Sequence, residues 1–464
     1  MAATSAAEGT MGAFAPLPER AEGTMGAFAP LPEDALSEVF SRVHDVKGLF
    51  RCAATCRPWL RLFTDPDFLR RLWPETDRAR LLGLFLGGPV NTDPPIFLPR
   101  PERDGRLTPF VPGGGRHFDG EHLLGSRHGV LLSRTEGYRT CCWQRDAVFH
   151  LSSPVAGAHE DVALPPDCGC LGLSGGLSGF AILTAADGDL GQETRPPSTR
   201  HSAFLQARLL LIGAHHDGDR LHQHLHSYSA ATRSWSALTK IRHACRLRMV
   251  GPRAAVVHGG AAHWLYADDT VDVSVPRDKR DTYMVSANAL TARVSVTKLP
   301  ITAAGGSPYP CVGRDGRLSV ACVHAMRIDV WTQQDGDDGD LAAWLLGQMF
   351  GKKKWLLAQV IQMPAAAPAG TNFMSCWWFH FNKGAMLAVY GGNGVFVLDL
   401  ETKAMEKIMD LSECPSSYGY YRCQPYEMDL PEFILGQLAG LRKLVITRSV
   451  QENMTFWTWL WPNF

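Results

Sequence analysis

No stretch of this 464-residue chain supplies the ~18 consecutive apolar residues that a membrane-spanning helix needs. Its first residues hold no basic segment leading into an apolar run, so the chain is expected to be neither membrane-inserted nor secreted. Neither charge is in excess: Lys plus Arg and Asp plus Glu both number 46, which removes the electrostatic basis for nucleic-acid or anionic-membrane binding and points to protein partners. Twelve cysteines are present, but none in a Cys-x-x-Cys pair. Adjacent Cys141 and Cys142, and the pair Cys168 and Cys170, are poorly spaced for a zinc finger and read as reduced thiols of a cytoplasmic or nuclear protein. Glycine-rich phosphate loops in a strand-to-helix context are also missing, and no Ser, His and Asp arrangement is readable, since a triad is defined by geometry. The expectation is a chain with no enzymatic activity, no cofactor and no bound metal.

What is present begins with three short amphipathic patterns between Leu31 and Arg71. LPEDALSEVFSRV opens with Pro32, whose fixed φ suits the first turn of a helix, and Glu33 and Asp34 face the positive end of the dipole. Leu36, Val39, Phe40 and Val43 recur at helical spacing and share one stripe. Asp45 can cap a second helix carrying Leu49, Phe50, Ala53 and Cys56. Pro58 can start a third with Trp59, Leu62 and Phe63, and Asp65 with Pro66 repeats the device before Phe68 and Leu69. Four apolar stripes in roughly 40 residues are too little surface for a stable independent core, so a partner is expected.

These residues resemble the F-box, by which F-box proteins bind the Skp-type adaptor of cullin–RING ubiquitin ligases. Leu31 and Pro32, Leu36 with Val39 and Phe40, the block from Leu49 to Cys56, Trp59, Pro66 and the ending from Phe68 to Arg71 stand where the family pattern has them. The resemblance implies that Leu31, Pro32, Leu36, Val39, Phe40, Leu49, Cys52 and Trp59 contact that adaptor. Gly48, a weak helix former, departs from the pattern.

Either side of this segment the composition changes. AEGTMGAFAPLPE occurs at 7–19 and again at 21–33, and only the second copy continues into the helical pattern; residues 1–29 are read as a disordered leader. From Gly87 to Gly115 the chain is crowded with Pro and Gly, and 76–116 reads as a linker after a helical domain at 30–75. From 117 to 445 the signals are brief apolar runs bounded by Gly, Asp, Pro or Ser, among them Val130–Leu132, Ala147–Leu151, Leu209–Ile212, Leu318–Val323 and Val395–Leu400.

A hairpin template recurs in this half: Ser229-x-x-Thr232-x-x-Trp235, Asn288-x-x-Thr291-x-x-Val294 and Asp399-x-x-Thr402-x-x-Met405, with Ser153 a weaker fourth. The first residue ends one strand and satisfies turn amides, and the Thr begins the return. Steps of 76, 59 and 111 residues separate Ser153, Ser229, Asn288 and Asp399. They suit blades of roughly 40 to 50 residues with some copies degraded, which over this length gives ~6 to 8 blades of a degenerate all-β propeller. SRHGVLLS, HSYSAATRSWS, AVVHGGAAHWLY, GVFVLDLETKAMEKI and PYEMDLPE, in that order, resemble the propeller-like associated region of plant F-box proteins, especially the grass families. The combined resemblance implies the substrate receptor of an SCF-type ligase: Skp-type adaptor and cullin at one end, a client protein at the propeller. A ligase-independent scaffold and, further off, a metal-assisted propeller enzyme are the alternatives.

The remaining candidates for chemistry read as structure. His222, His224 and His226 alternate on one face of a strand, with His215 and His216 nearby. Adjacent same-face positions lie nearly 7 Å apart, too far to converge on one ion without a bulge. Asp335, Asp337, Asp338 and Asp340 resemble a calcium loop, but no Glu stands at the twelfth position. Lys352 to Lys354 read as a solvated turn. Trp457, Trp459 and Trp461 alternate in an aromatic tail at 446–464, read as the strand that closes the propeller, with an exposed recognition patch as the alternative.

Overall fold

In the computed structural model, the described residues are 32–43, 46–55, 57–72, 79–86, 95–100, 121–138, 145–153, 158–164, 177–184, 187, 207–217, 220–241, 243, 246–269, 280–288, 291–302, 306–334, 354–362, 377–390, 394–411, 423–429, 434 and 438. The duplicated leader, the Asp335–Asp340 run and the Trp-rich tail lie outside them. The chain divides into two compact units, Met1–Arg42 and Val43–Phe464.

In the first unit, helix α1 spans Glu33–Ser41. Pro32 sits at its cap, with φ −52° and ψ 146°, one position ahead of the first turn in which the sequence had put it. Its carbonyl accepts the Leu36 amide at 3.0 Å, which suits a residue that has no N–H to offer.

The second unit opens with α2 (Val46–Thr55), α3 (Arg57–Phe63) and α4 (Pro66–Leu72). Gly48 falls in the first turn of α2, where its weak propensity matters least. Asp65 caps α4: its Oδ1 accepts the Asp67 amide at 2.9 Å, and Pro66 holds the first helical position. Phe63 and Phe68 are fully buried and meet edge to face at 5.6 Å, locking α3 to α4.

Six sheets follow, making an all-β six-bladed propeller. The first begins with β1 (Ala79–Leu86) and β2 (Ile96–Pro99). The next holds β3 (Glu121–Arg127), β4 (Val130–Tyr138), β5 (Arg145–Ser153) and β6 (Ala158–Val162) in sequence order. Then come β7 (Leu177–Leu183), β8 (Arg208–Asp217) and β9 (Arg220–Ser229), with β10 (Ser234–Trp235) and β11 (Thr239–Ile241) both paired to β9. In the fourth sheet β12 (Leu247–Met249) and β13 (Val256–His258) both pair with β14 (Ala261–Asp268), which continues to β15 (Asp281–Asn288) and β16 (Val294–Thr302). The fifth runs β17 (Ser307–Val312), β18 (Leu318–Val323), β19 (Arg327–Gln334), β20 (Lys354–Gln362), and the sixth β21 (Trp377–Phe381), β22 (Ala385–Tyr390), β23 (Gly394–Asp399), β24 (Met405–Asp410). Finally β25 (Cys423–Asp429) returns to pair antiparallel with β1, so the first sheet is built from both ends of the strand-rich region.

This closure changes the reading of residues 76–116. The stretch is not a plain linker, because β1 and β2 are blade strands. β1 and β2 pair antiparallel with each other, and β25, remote in sequence, adds the ladder on the other edge of β1 that completes the sheet. The brief apolar runs quoted above fall on strands except for Leu400, which begins the turn after β23, and each sheet covers its neighbour; one such layer joins Leu209, Leu211 and Tyr228 to Val130, Phe149 and Leu151. Gly179 shows how close the sheets come: a Cβ there would lie 2.8 Å from the Trp264 indole nitrogen.

The hairpin template marks the turn from the third to the fourth strand of a blade. Asn288 Oδ1 accepts the Thr291 amide at 2.8 Å, and Asp399 Oδ1 the Thr402 amide at 2.9 Å. The residue after each Thr is left-handed, with φ of 50° at Arg233, 52° at Ala292 and 60° at Lys403, so three blades share one turn conformation as well as one pattern. The 111-residue step contains a blade whose third and fourth strands, β19 and β20, are joined without the template.

Candidate docking helices and propeller axis

Of the eight residues expected to face an adaptor, Leu31 lies outside the described residues. Pro32 is exposed, Leu36 half-buried and Phe40 buried. Val39, also on α1, is 50% exposed. On α2 and α3, which pack together, Leu49 is buried while Cys52 and Trp59 are half-buried. Val39 thus leaves an apolar side chain in water on α1.

A second concentration of chemistry lies around the propeller axis, and no spacing in the sequence announced it. The innermost strands β25, β3, β7, β13, β17 and β21 meet in that order. At the end of β3, Arg127 forms a two-pronged ion pair with Asp187 (2.7 and 2.9 Å) and donates to the Ile182 carbonyl at 3.2 Å. Asp187 also accepts the Thr184 amide at 2.8 Å. Burial pushes the Asp187 carboxyl up, but Arg127, His128 and the Thr184 amide together hold it below the usual range.

The neighbouring histidines are driven toward neutrality. Burial, then the Arg127 charge, lowers His128 to about 4 against the opposing pull of Asp187. His380 on β21 is lowered to about 3 by burial, then by Arg127 and His258. On β25, burial raises Glu427 to about 7 although Arg127 opposes it. A carboxyl raised in the folded state binds its proton more tightly there, so stability is fullest below the unfolded value near 4.5 and falls as pH rises toward 7. We expect Glu427→Gln to melt at a higher temperature than wild type at pH 8, with the advantage shrinking toward pH 4.5. Thermal denaturation at the two pH values checks this; equal differences at both would refute it.

Among the described residues, none of Cys52, Cys311, Cys322 and Cys423 is in a disulfide; burial pushes the last three thiols up to about 12, so they are inert. Cys141, Cys142, Cys168 and Cys170 lie outside the described residues. His222, His224 and His226 fall on β9 as expected, with His226 buried against Trp235 at 6.2 Å between ring centres. They do not gather into a metal-binding group. The one group of three donors found among the described residues is His150, His159 and Asp161, none of which the sequence singled out.

Comparison with known proteins agrees on the helices. The F-box-like family model matches residues 28–74. No curated protein matches the chain. Among solved structures, one from a study of two prolyl endopeptidases aligns at 14% identity with a TM-score of 0.30, covering 62% of this chain and 36% of that one. An acylaminoacyl peptidase of Pyrococcus horikoshii aligns at 9% and 0.34, covering 63% and 40%. TolB from Acinetobacter baumannii aligns at 11% and 0.37, covering 78% and 68%. The chain thus spans well under half the length of the two peptidases. At these scores the likenesses carry no functional weight. What stands is an F-box-like N-terminal region followed by a six-bladed propeller.

Among the described residues no helix is long and apolar enough to cross a membrane.

Proposed function

We propose that this chain is a non-enzymatic receptor subunit of an SCF-type cullin–RING ubiquitin ligase. Leu31, Pro32, Leu36 and Val39 at α1, and Cys52 and Trp59 on α2 and α3, contact a Skp-type adaptor and, through it, a cullin, while Phe40 and Leu49, which are buried, support their helices from within. The propeller holds a client protein in the cytoplasm or nucleus, in the manner of the grass F-box proteins that the sequence resembles. One observation carries the reading: an F-box-like match over 28–74 coincides with helices that leave Val39 in water and is followed by a propeller, a scaffold whose loops suit recognition. Other subunits supply the chemistry. Tethering a client beside the charged conjugating enzyme replaces a solution encounter with one at high effective concentration.

Co-purification of the full chain with a recombinant Skp-type adaptor tests this. Val39→Glu puts a charge where the partner requires an apolar contact and should weaken capture about tenfold or more, leaving the far-UV circular dichroism unchanged because Val39 supports no core. Failure of the wild-type chain to capture the adaptor, or equal capture by the variant, would overturn the proposal and favour the ligase-independent scaffold.

A further inference from the structure

We infer that His150, His159 and Asp161 form a binding site for a divalent transition-metal ion of the zinc class on the outer half of the second sheet. Strand register makes the site. His150 on β5 lies directly opposite Asp161 on β6, and His159, two positions before Asp161, shares its face. The intervening Glu160 points the other way and accepts a hydrogen bond from Tyr228 of the neighbouring sheet.

The donor atoms already converge. Asp161 Oδ1 is 2.7 Å from His150 Nδ1 and 2.9 Å from His159 Nε2, and the three ligand atoms all lie within 4.8 Å of one another. The two imidazoles stack, with centres 5.4 Å apart and planes 23° from parallel. Around a tetrahedral ion with bonds near 2.0–2.1 Å, donors sit about 3.3 Å apart. About half an ångström of opening at each carboxylate contact, with the two imidazole nitrogens brought to the same spacing, therefore admits the ion. His159 and Asp161 are 48% and 68% exposed and free to make that adjustment, whereas His150 is only 11% exposed and acts as the fixed ligand.

His150 is also oriented from behind, as metal-binding imidazoles usually are. Its Nε2 lies 2.9 Å from Thr135 Oγ1 on β4. A hydroxyl can accept as well as donate, so Thr135 can accept a hydrogen bond from Nε2–H and leave the Nδ1 lone pair directed at the ion. Two neutral imidazoles and one carboxylate are a borderline-soft, singly charged donor set, which favours zinc and its neighbours over calcium or magnesium. Three protein ligands leave a fourth position for water or a client group. The ion takes the place of the protons held between the imidazoles and Asp161.

The test uses the full chain, stripped with a chelator and titrated with Zn2+ against a chromophoric competitor at pH 7.5. We expect one equivalent bound, an affinity about 100-fold weaker in His159→Ala and in Asp161→Asn, about tenfold weaker in Thr135→Val, and unchanged in His222→Ala. The exposed ligands make the first two variants safe for folding, and their metal-free melting temperatures should match wild type. Co2+ substitution should give d–d bands without a thiolate charge-transfer band, which separates this site from the cysteines. Absence of competitive binding, wild-type affinity in His159→Ala or Asp161→Asn, or a cobalt spectrum dominated by thiolate would overturn the assignment. None of these outcomes bears on adaptor capture.

Discussion

Tyr426→Ala is expected to destabilise the propeller by about 3–5 kcal/mol, the range for deleting a large aromatic ring from a core. Tyr426 is fully buried on β25 and sits edge to face with Phe85 of β1 at 5.5 Å and Phe97 of β2 at 6.1 Å. Its hydroxyl donates to the Gly129 carbonyl of the next sheet at 3.2 Å. One side chain therefore ties together the C-terminal strand, the two N-terminal strands and the sheet that follows them. A ring is closed by its weakest seam, so losing this contact should open the structure between β25 and β1 before the remaining sheets unfold. Tyr426→Phe, which keeps the ring and loses one hydrogen bond, should cost only about 1 kcal/mol. Denaturant midpoints and limited proteolysis of the three proteins decide the matter. An Ala variant within about 1 kcal/mol of wild type would mean that closure is held elsewhere.

The Arg127–Asp187 pair is the second place where one atom group carries a large effect. Asp187→Ala leaves a largely buried guanidinium without its counter-charge and also orphans the Thr184 amide, which should cost about 3–5 kcal/mol. Removing both charges together, as Arg127→Met with Asp187→Leu, should recover most of that loss, because the penalty lies in the unpaired charge. Since Asp187 is held below its ordinary value, its contribution is complete above the unfolded value near 3.8 and fades as pH falls through the lower folded one. Urea denaturation of the single and double variants at neutral pH tests this, and a double variant no more stable than Asp187→Ala would show that packing, not charge, sets the cost.

Local features of the structure were legible in residue order. The Asp65-Pro66 device caps α4 as read, and the Asn288 and Asp399 side chains close the turns that the template marked. Both depend on contacts within three residues, which a sequence displays directly. β2 was hidden among Pro and Gly, and the sheet that β1 and β2 open is completed only by β25, far along the chain. Likewise, His222, His224 and His226 drew notice by proximity in sequence, whereas the group that converges joins His150 to Asp161 through an antiparallel register that no local pattern encodes. The axial groups escaped for the same reason: Arg127 and His128 stood inside a quoted motif, yet their meaning depends on Asp187, Glu427 and His380 arriving from other strands.

The sequence by itself determined the helical F-box-like segment, the strand-rich character of the rest and the turn chemistry of its hairpins, because caps, periodicity and side-chain-to-backbone hydrogen bonds act over a few residues. Tertiary structure alone decided the number of blades, how the ring closes, which ionisable groups are dehydrated and which donors converge. Those depend on strand register and burial, and both are set by free-energy terms shared among segments far apart in the chain.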